Sequence, residues 1–330
     1  MDLNTSLNTS LNRNLNTSLN TSLNARTNNL TGNLIIDNPF IAASGTYGYG
    51  TEYSDITPPE KWGALVLKTV TVKQRDGNKP PRCCETDSGM INSIGLANCG
   101  IEHFLKEKLP EFIKKFPNAK PVVSIAGETT EEFVFLAGKL AEQKGITAIE
   151  LNFSCPNVSR GGIHFGADCL SSKEAVKECR KTTQLPLWVK ISPAATDPVN
   201  IASTCMEAGA DAIVASNTVP AMAIDIWKQK PVLGNITGGL SGPAIFPISL
   251  RVAYLIAKSL RGITLIGCGG ADSAEKAIQF ILAGCSAVEV GTAIFRQPDI
   301  IDKLTEGLKS YMEKMGYKKI SDFKGKALQN

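Results

Sequence analysis

Cys155 follows the run AIELNFS, with Asn152 three residues before it and Pro156 and Asn157 after it. A thiol in a proline-stiffened loop just past an apolar run is placed to serve as a base or nucleophile once deprotonated. The chain has nine cysteines, and the others lack this setting. Cys205, Cys268 and Cys285 sit in apolar runs and read as small core residues, while Cys83 and Cys84 share an arginine-containing loop. No two cysteines have C-x2-C spacing, and the only two histidines, His103 and His164, are distant in sequence, which argues against a zinc site and a Cys-His protease. Two lysines end apolar runs, Lys68 in LVLKT and Lys190 in LWVKIS. Either one reads as a cation that attracts an anionic substrate or stabilises negative charge on a reduced cofactor, or as a salt-bridged surface lysine just beyond its strand. Gly269-Gly270 and Gly291-Thr292 close two further runs, and Gly242 lies in GNITGGLSGPAI. Glycines let a phosphate approach the backbone, with Thr292 adding a hydroxyl, although each doublet taken alone also fits a turn.

These residues share one kind of location, the end of a short apolar run. Eight such runs recur: FIAASG (40–45), ALVLKT (64–69), VVSIAG (122–127), AIELNFS (148–154), LWVKIS (187–192), AIVASNT (212–218), TLIGCGG (264–270) and AVEVGTA (287–293). Continuous apolar runs are the pattern of parallel strands covered on both faces. Helices are expected at 130–143, 172–183, 200–208, 248–259, 273–283 and 300–315. The first has Thr129 and Glu132 at capping-box spacing, a stripe of Phe133, Phe135, Leu136 and Leu140, and Gly145 as its stop. Eight strand-helix units in about 300 residues predict a single α/β domain, a (β/α)8 barrel, rather than two doubly wound domains. The connections 70–102, 155–171 and 219–245 are rich in Gly, Pro and polar residues and are expected to cover the barrel's C-terminal mouth.

Composition sets the remaining bounds. With 43% hydrophobic and 20% charged residues the chain is an ordinary globular one, and its net charge of +4 comes from scattered lysines and arginines rather than a basic run, so no nucleic-acid footprint is visible. No apolar stretch is long enough to cross a membrane. An odd cysteine count without a secretory signal suggests reduced thiols and a cytoplasmic setting. Residues 1–28 repeat Asn, Thr, Ser and Leu in fours, a tail expected to be disordered, ahead of a barrel domain at 29–330. Its leucines would line one face of a transit-like helix, but Asn, Ser and Thr are poor helix formers, and its Asn-Thr-Ser sequons need a secretory route.

Four strings, NPFIAASGTYGYG, SGMINSIGLANCG, ELNFSCPN and ITGGLSGPAI, occur in an order that resembles the class 1 dihydroorotate dehydrogenases, flavoproteins of pyrimidine biosynthesis. The resemblance covers residues 31–330. It implies an FMN site made by Ala43, Ser44, Lys68, Thr69, Ser124, Asn152, Lys190 and Ser216, with Gly242, Gly269, Gly270, Gly291 and Thr292 around the phosphate. It also implies that dihydroorotate or orotate meets Lys68, the loop Asn92, Ser93, Ile94, Gly95 and Leu96, then Asn152, Asn217 and Thr218, with Cys155 as the base at C5. GTYGYG and GNITGGLSGPAI look like class 1B, a homodimer of barrels that passes electrons from FMN to a subunit holding FAD and a [2Fe-2S] cluster, and on to NAD. Ser124 and the ending GYKKISDFKGKAL are instead similar to class 1A, which uses fumarate. A dihydropyrimidine dehydrogenase module, whose substrate lacks the carboxylate, and a barrel kept as a scaffold without turnover are the remaining alternatives.

Overall fold

The structure is a computed structural model and describes Ile36, residues 38–153 and residues 168–329. The expected tail at 1–28 and most of the connection 155–171, including Cys155, lie outside the described residues. Eight parallel strands close into a barrel. They are β1 (Phe40–Ala42), β2 (Ala64–Val70), β5 (Pro121–Ile125), β6 (Ala148–Asn152), β7 (Leu187–Lys190), β8 (Ala212–Ala215), β13 (Leu265–Cys268) and β14 (Ala287–Val290), joined in the order β1-β14-β13-β8-β7-β6-β5-β2, with β1 also paired to β2. Every apolar run named from the sequence is one of these strands.

Strand side chains alternate between two faces, and the burial follows that period of two. Ile41, Val66, Val122, Ala148, Trp188, Ala212, Val214, Ile266 and Ala287 fill the lumen as one cluster. The intervening Leu65, Leu67, Val123, Ile149, Leu151, Val189, Ile213 and Val288 pack outward in a second, larger cluster with the helices. Within the lumen the large Trp188 is offset by alanines at 64, 148, 212 and 287, the large-and-small alternation that fills a tapering barrel. The same parity carries Glu150 and Asn152, Lys190, and Glu289 toward the lumen above that packed floor.

The helices are α1 (Leu109–Lys115), α2 (Thr130–Ala141), α3 (Cys169–Thr182), α4 (Pro198–Glu207), α5 (Phe246–Ser259), α6 (Ala274–Leu282), α7 (Ala293–Arg296) and α8 (Ile300–Met315). Four begin on side-chain caps, where Thr129, Asp168, Asp197 and Ser273 accept from the N–H groups of Glu132, Ser171, Asn200 and Lys276. The Thr129 cap is the one expected, but Glu132 accepts from Glu128 N (2.7 Å) rather than closing the box, and α2 ends at Ala141, before Gly145. A helical stretch from Ile101, with a π turn at Phe104–Lys108 leading into α1, was not expected; Pro110 masks it in the sequence and stands just after the π turn, where the helical bonding is already irregular.

Two of the three long connections meet over the mouth. β3 (Cys83–Thr86), β4 (Gly89–Asn92), β9 (Val219–Met222) and β12 (Thr237–Ser241) form an antiparallel sheet in the order β3-β4-β12-β9, beside a small hairpin of β10 (Ile224–Asp225) and β11 (Lys230–Pro231). Asn92 pairs with Gly239 and Ser241 with Met90, so the roof stitches together the segments after β2 and β8. No helix among the described residues is long and apolar enough to cross a membrane.

Candidate active site

Between the strand ends and the roof lies a cavity of about 740 Å³. Its wall includes Ala43, Ser44, Lys68, Thr69, Asn92, Ser93, Ile94, Gly95, Leu96, Asn152, Lys190, Ser216, Asn217, Thr218, Gly242, Gly269, Gly270, Gly291 and Thr292. The structure thus gathers nearly all of the residues singled out from the sequence. Ser124 does not reach the wall: it is fully buried, and its hydroxyl shares a hydrogen bond with Thr69 Oγ1 (2.9 Å).

The wall divides chemically into three parts. On one side Ser44 Oγ bonds Leu67 O and Thr69 Oγ1, both at 3.1 Å, so Ser44, Thr69 and Ser124 make a continuous hydroxyl chain across β2 and β5. On another side Asn217 Nδ2 donates to Asn152 Oδ1 (3.3 Å) and Asn217 Oδ1 accepts from Thr218 N (2.7 Å), which fixes two amide side chains facing the cavity. The roof contributes Asn92, whose Nδ2 donates to Gly239 O (3.3 Å), and Ser93, held by Asn78 and Asn235. Gly95 and Leu96 have φ of 71° and 55°, and this turn presents their backbone to the cavity.

The third part is a glycine cradle at the ends of β13 and β14. Gly269 and Gly270 have φ of 123° and 77°, and a Cβ on Gly270 would stand 2.7 Å from Phe246 N and 2.8 Å from Gly242 O, at the start of α5. No side chain fits there. Gly291 continues the cradle, and Thr292 Oγ1 donates to Ser241 Oγ (2.6 Å) of the roof. Bare backbone beside helix starts is chemically suited to an anion.

The electrostatics come from the lysines. Burial lowers the pKa of the half-buried Lys68. Lys190 is buried, with its Nζ 2.5 Å from Glu289 Oε2 and 3.7 Å from Glu150 Oε2. Burial by itself would depress its ammonium, but the carboxyl groups beside it outweigh that and hold it well above its ordinary value. Lys190 is therefore a fixed positive charge in the floor, not a surface lysine. Glu150, Glu289, Asn78 and Ser192 were not named from the sequence. For the two glutamates a signal existed: each interrupts an otherwise apolar run at the parity shared with Lys190.

The description of a dihydroorotate dehydrogenase family fits residues 27–312 of the chain. Similar proteins include those of Pelobacter propionicus (47% identical over 292 residues, 88% of this chain and 95% of that one), Desulforamulus reducens (45% over 290 residues, 88% and 94%) and Geotalea uraniireducens (44% over 288 residues, 87% and 93%). Each of those three is named the catalytic subunit of dihydroorotate dehydrogenase B (NAD(+)).

Proposed function

The chain belongs to the dihydroorotate dehydrogenase family, and on that premise we propose that it oxidises dihydroorotate to orotate in pyrimidine synthesis with FMN as its bound flavin. The observation that carries the FMN reading is the side-chain-free cradle at Gly269, Gly270 and Gly291, which lines one cavity together with the buried cation Lys190. A flavin mononucleotide needs both, a phosphate pocket at one end and positive charge near its ring at the other. Bound there, the flavin would supply the acceptor for the hydride leaving C6 of the substrate.

The chain's own residues do the rest. Gly269, Gly270, Gly291 and Thr292 hold the phosphate end, and Ser44, Thr69 and Ser216 flank the ring. Lys190 offsets negative charge arriving at the ring, and Lys68 reaches ring and substrate together. Asn92, Asn152, Asn217 and Thr218 offer amide and hydroxyl groups to a flat substrate of alternating carbonyl and N–H groups, while Lys68 suits its carboxylate. Cys155 takes the proton from C5. Ser124 acts through Thr69, one layer away from the ring.

The relatives' names favour a class 1B enzyme, in which electrons leave through a second subunit carrying FAD and a [2Fe-2S] cluster and reach NAD, the barrels pairing as a homodimer. A cytoplasmic setting fits the described cysteines, which are unpaired. The test is direct: the purified chain should carry a flavin spectrum that bleaches with dihydroorotate and not with dihydrouracil. Alone it should not reduce NAD, and a tagged copy should co-purify a second subunit with FAD and iron-sulfur absorbance. Rapid reoxidation by fumarate would instead support the class 1A reading of Ser124 and the C-terminal segment.

A further inference from the structure

Below the cavity, Glu150 of β6, Lys190 of β7 and Glu289 of β14 meet in the lumen, and both carboxyls are fully buried. Glu289 Oε2 is bonded to the ammonium, whereas Glu289 Oε1 and both Glu150 oxygens have no hydrogen-bond partner among the described residues. The neighbouring strands add only Ser124 from β5, Thr69 from β2, Ser216 from β8 and Cys268 from β13, and β1 offers no charge. Burial keeps the Cys268 thiol far above its usual range, so it stays neutral at working pH. Lys68 lines the cavity above. The floor therefore holds one ammonium and two carboxyls.

One ammonium balances one carboxylate, and a second buried carboxylate without a partner is strongly disfavoured. Glu289 is the carboxyl bonded to the lysine, at 2.5 Å against 3.7 Å for Glu150. Burial first, and then the charge of Glu289, push Glu150 up to about 8. Of the two glutamates only Glu150 lines the cavity.

We propose that Glu150 is a proton-holding residue in the cavity floor, taking a proton from solvent when negative charge is placed against Lys190 and returning it when that charge leaves. This rests on the flavin reading above. Above pH about 8, where Glu150 is ionised, a negatively charged reduced ring would be a third anion competing for one ammonium, and protonating Glu150 removes one of the three. The two electrons come from dihydroorotate, the proton on Glu150 comes from water, and no substrate bond breaks in this step. Glu289 is a positioning residue that keeps Lys190 in place whichever state Glu150 adopts.

Glu150→Gln has the shape of the protonated acid and is the variant of choice. In flavin-free protein, a carboxyl with a raised folded-state pKa stabilises fully below the ordinary carboxylate range, and that contribution is lost as pH rises toward about 8. The thermal midpoint of the wild type should thus fall between pH 5 and 8 relative to that of Glu150→Gln. In flavin-loaded protein, the midpoint potential read by spectroelectrochemistry should show one extra proton taken up per two electrons above pH about 8. Glu150→Gln should lack that extra proton. In Glu289→Gln, where Glu150 is the sole carboxylate partner of Lys190 until the ring is reduced, the extra proton should appear at lower pH than in the wild type. A merely structural Glu150 would shift midpoint and potential by amounts independent of pH, and parallel profiles in either measurement overturn the proposal. If the chain bound no flavin, the functional reading and the coupling would fall together, while the flavin-free profiles would still locate the proton.

Discussion

Replacing Gly291 by alanine separates cofactor binding from folding. The new Cβ would lie 3.8 Å from Ala43 Cβ and 3.9 Å from Thr46 Cγ2, ordinary van der Waals contact, and Gly291 has no positive φ. Fold stability should therefore change by no more than about 0.5 kcal/mol. The methyl nevertheless sits at the cavity wall where the phosphate is to be held, and displacing one charge-assisted hydrogen bond there costs about 1.5–3 kcal/mol. At about 1.4 kcal/mol per decade, flavin should bind roughly 10- to 100-fold more weakly. Gly270→Ala is the contrasting variant, since its Cβ would collide with backbone at 2.7 and 2.8 Å and its φ is 77°, so stability and flavin should fall together. Flavin-to-protein ratio after gel filtration, a fluorescence titration of flavin-free protein, and urea unfolding supply the three numbers. If Gly291→Ala retained flavin like the wild type at unchanged stability, the phosphate would lie elsewhere and the cradle argument would be refuted.

Cys155→Ala should keep its flavin yet lose about 10²- to 10⁴-fold in the rate of dihydroorotate-driven bleaching near neutral pH; an undiminished stopped-flow rate removes the thiol from the mechanism. With the wild type, that rate should climb with pH toward a thiol value of about 8.5. Lys190→Ala leaves two buried carboxyls with no cation and should cost about 3–5 kcal/mol in denaturant unfolding, less in acid where the carboxyls are protonated, and should loosen flavin retention. A surface lysine would do neither. Ser124→Ala removes one link of the Ser44-Thr69-Ser124 chain and should cost about 1 kcal/mol of stability, with a smaller effect on flavin retention than Gly291→Ala.

The barrel was legible because buried parallel strands announce themselves as largely apolar runs, and each of the eight carries Gly, Ser, Thr or Asn within its last three residues, the small and polar types that suit a cavity rim. The roof was less so. β3, β4 and β12 are short and hold glycine or polar residues, β9 is a four-residue strand containing a proline, and β4 finds its partner β12 far along the chain, so no local pattern reveals the pairing. Depth was also hidden. Period two places Ser124 on the lumen side correctly, but only the stagger of the strands decides that it lies behind Thr69. The lumen glutamates were hidden by the opposite habit, that of reading a charge within an apolar run as an interruption and not as a partner for Lys190.

The barrel's seam joins its first strand to its last: Phe40 of β1 registers with Val288 of β14. During synthesis, therefore, an N-terminal stretch that already carries Lys68, Asn152 and Lys190 must wait as an open sheet until the segment through Thr292 leaves the ribosome. Until then its first and last strands are bare edges. The cradle glycines belong to the late-arriving part and the floor lysine to the early one, so the cavity is complete only once both have emerged. Chains cut short before β14 would be born without a cofactor site and with two unpaired edges, which makes them substrates for chaperones and proteases rather than half-active enzymes.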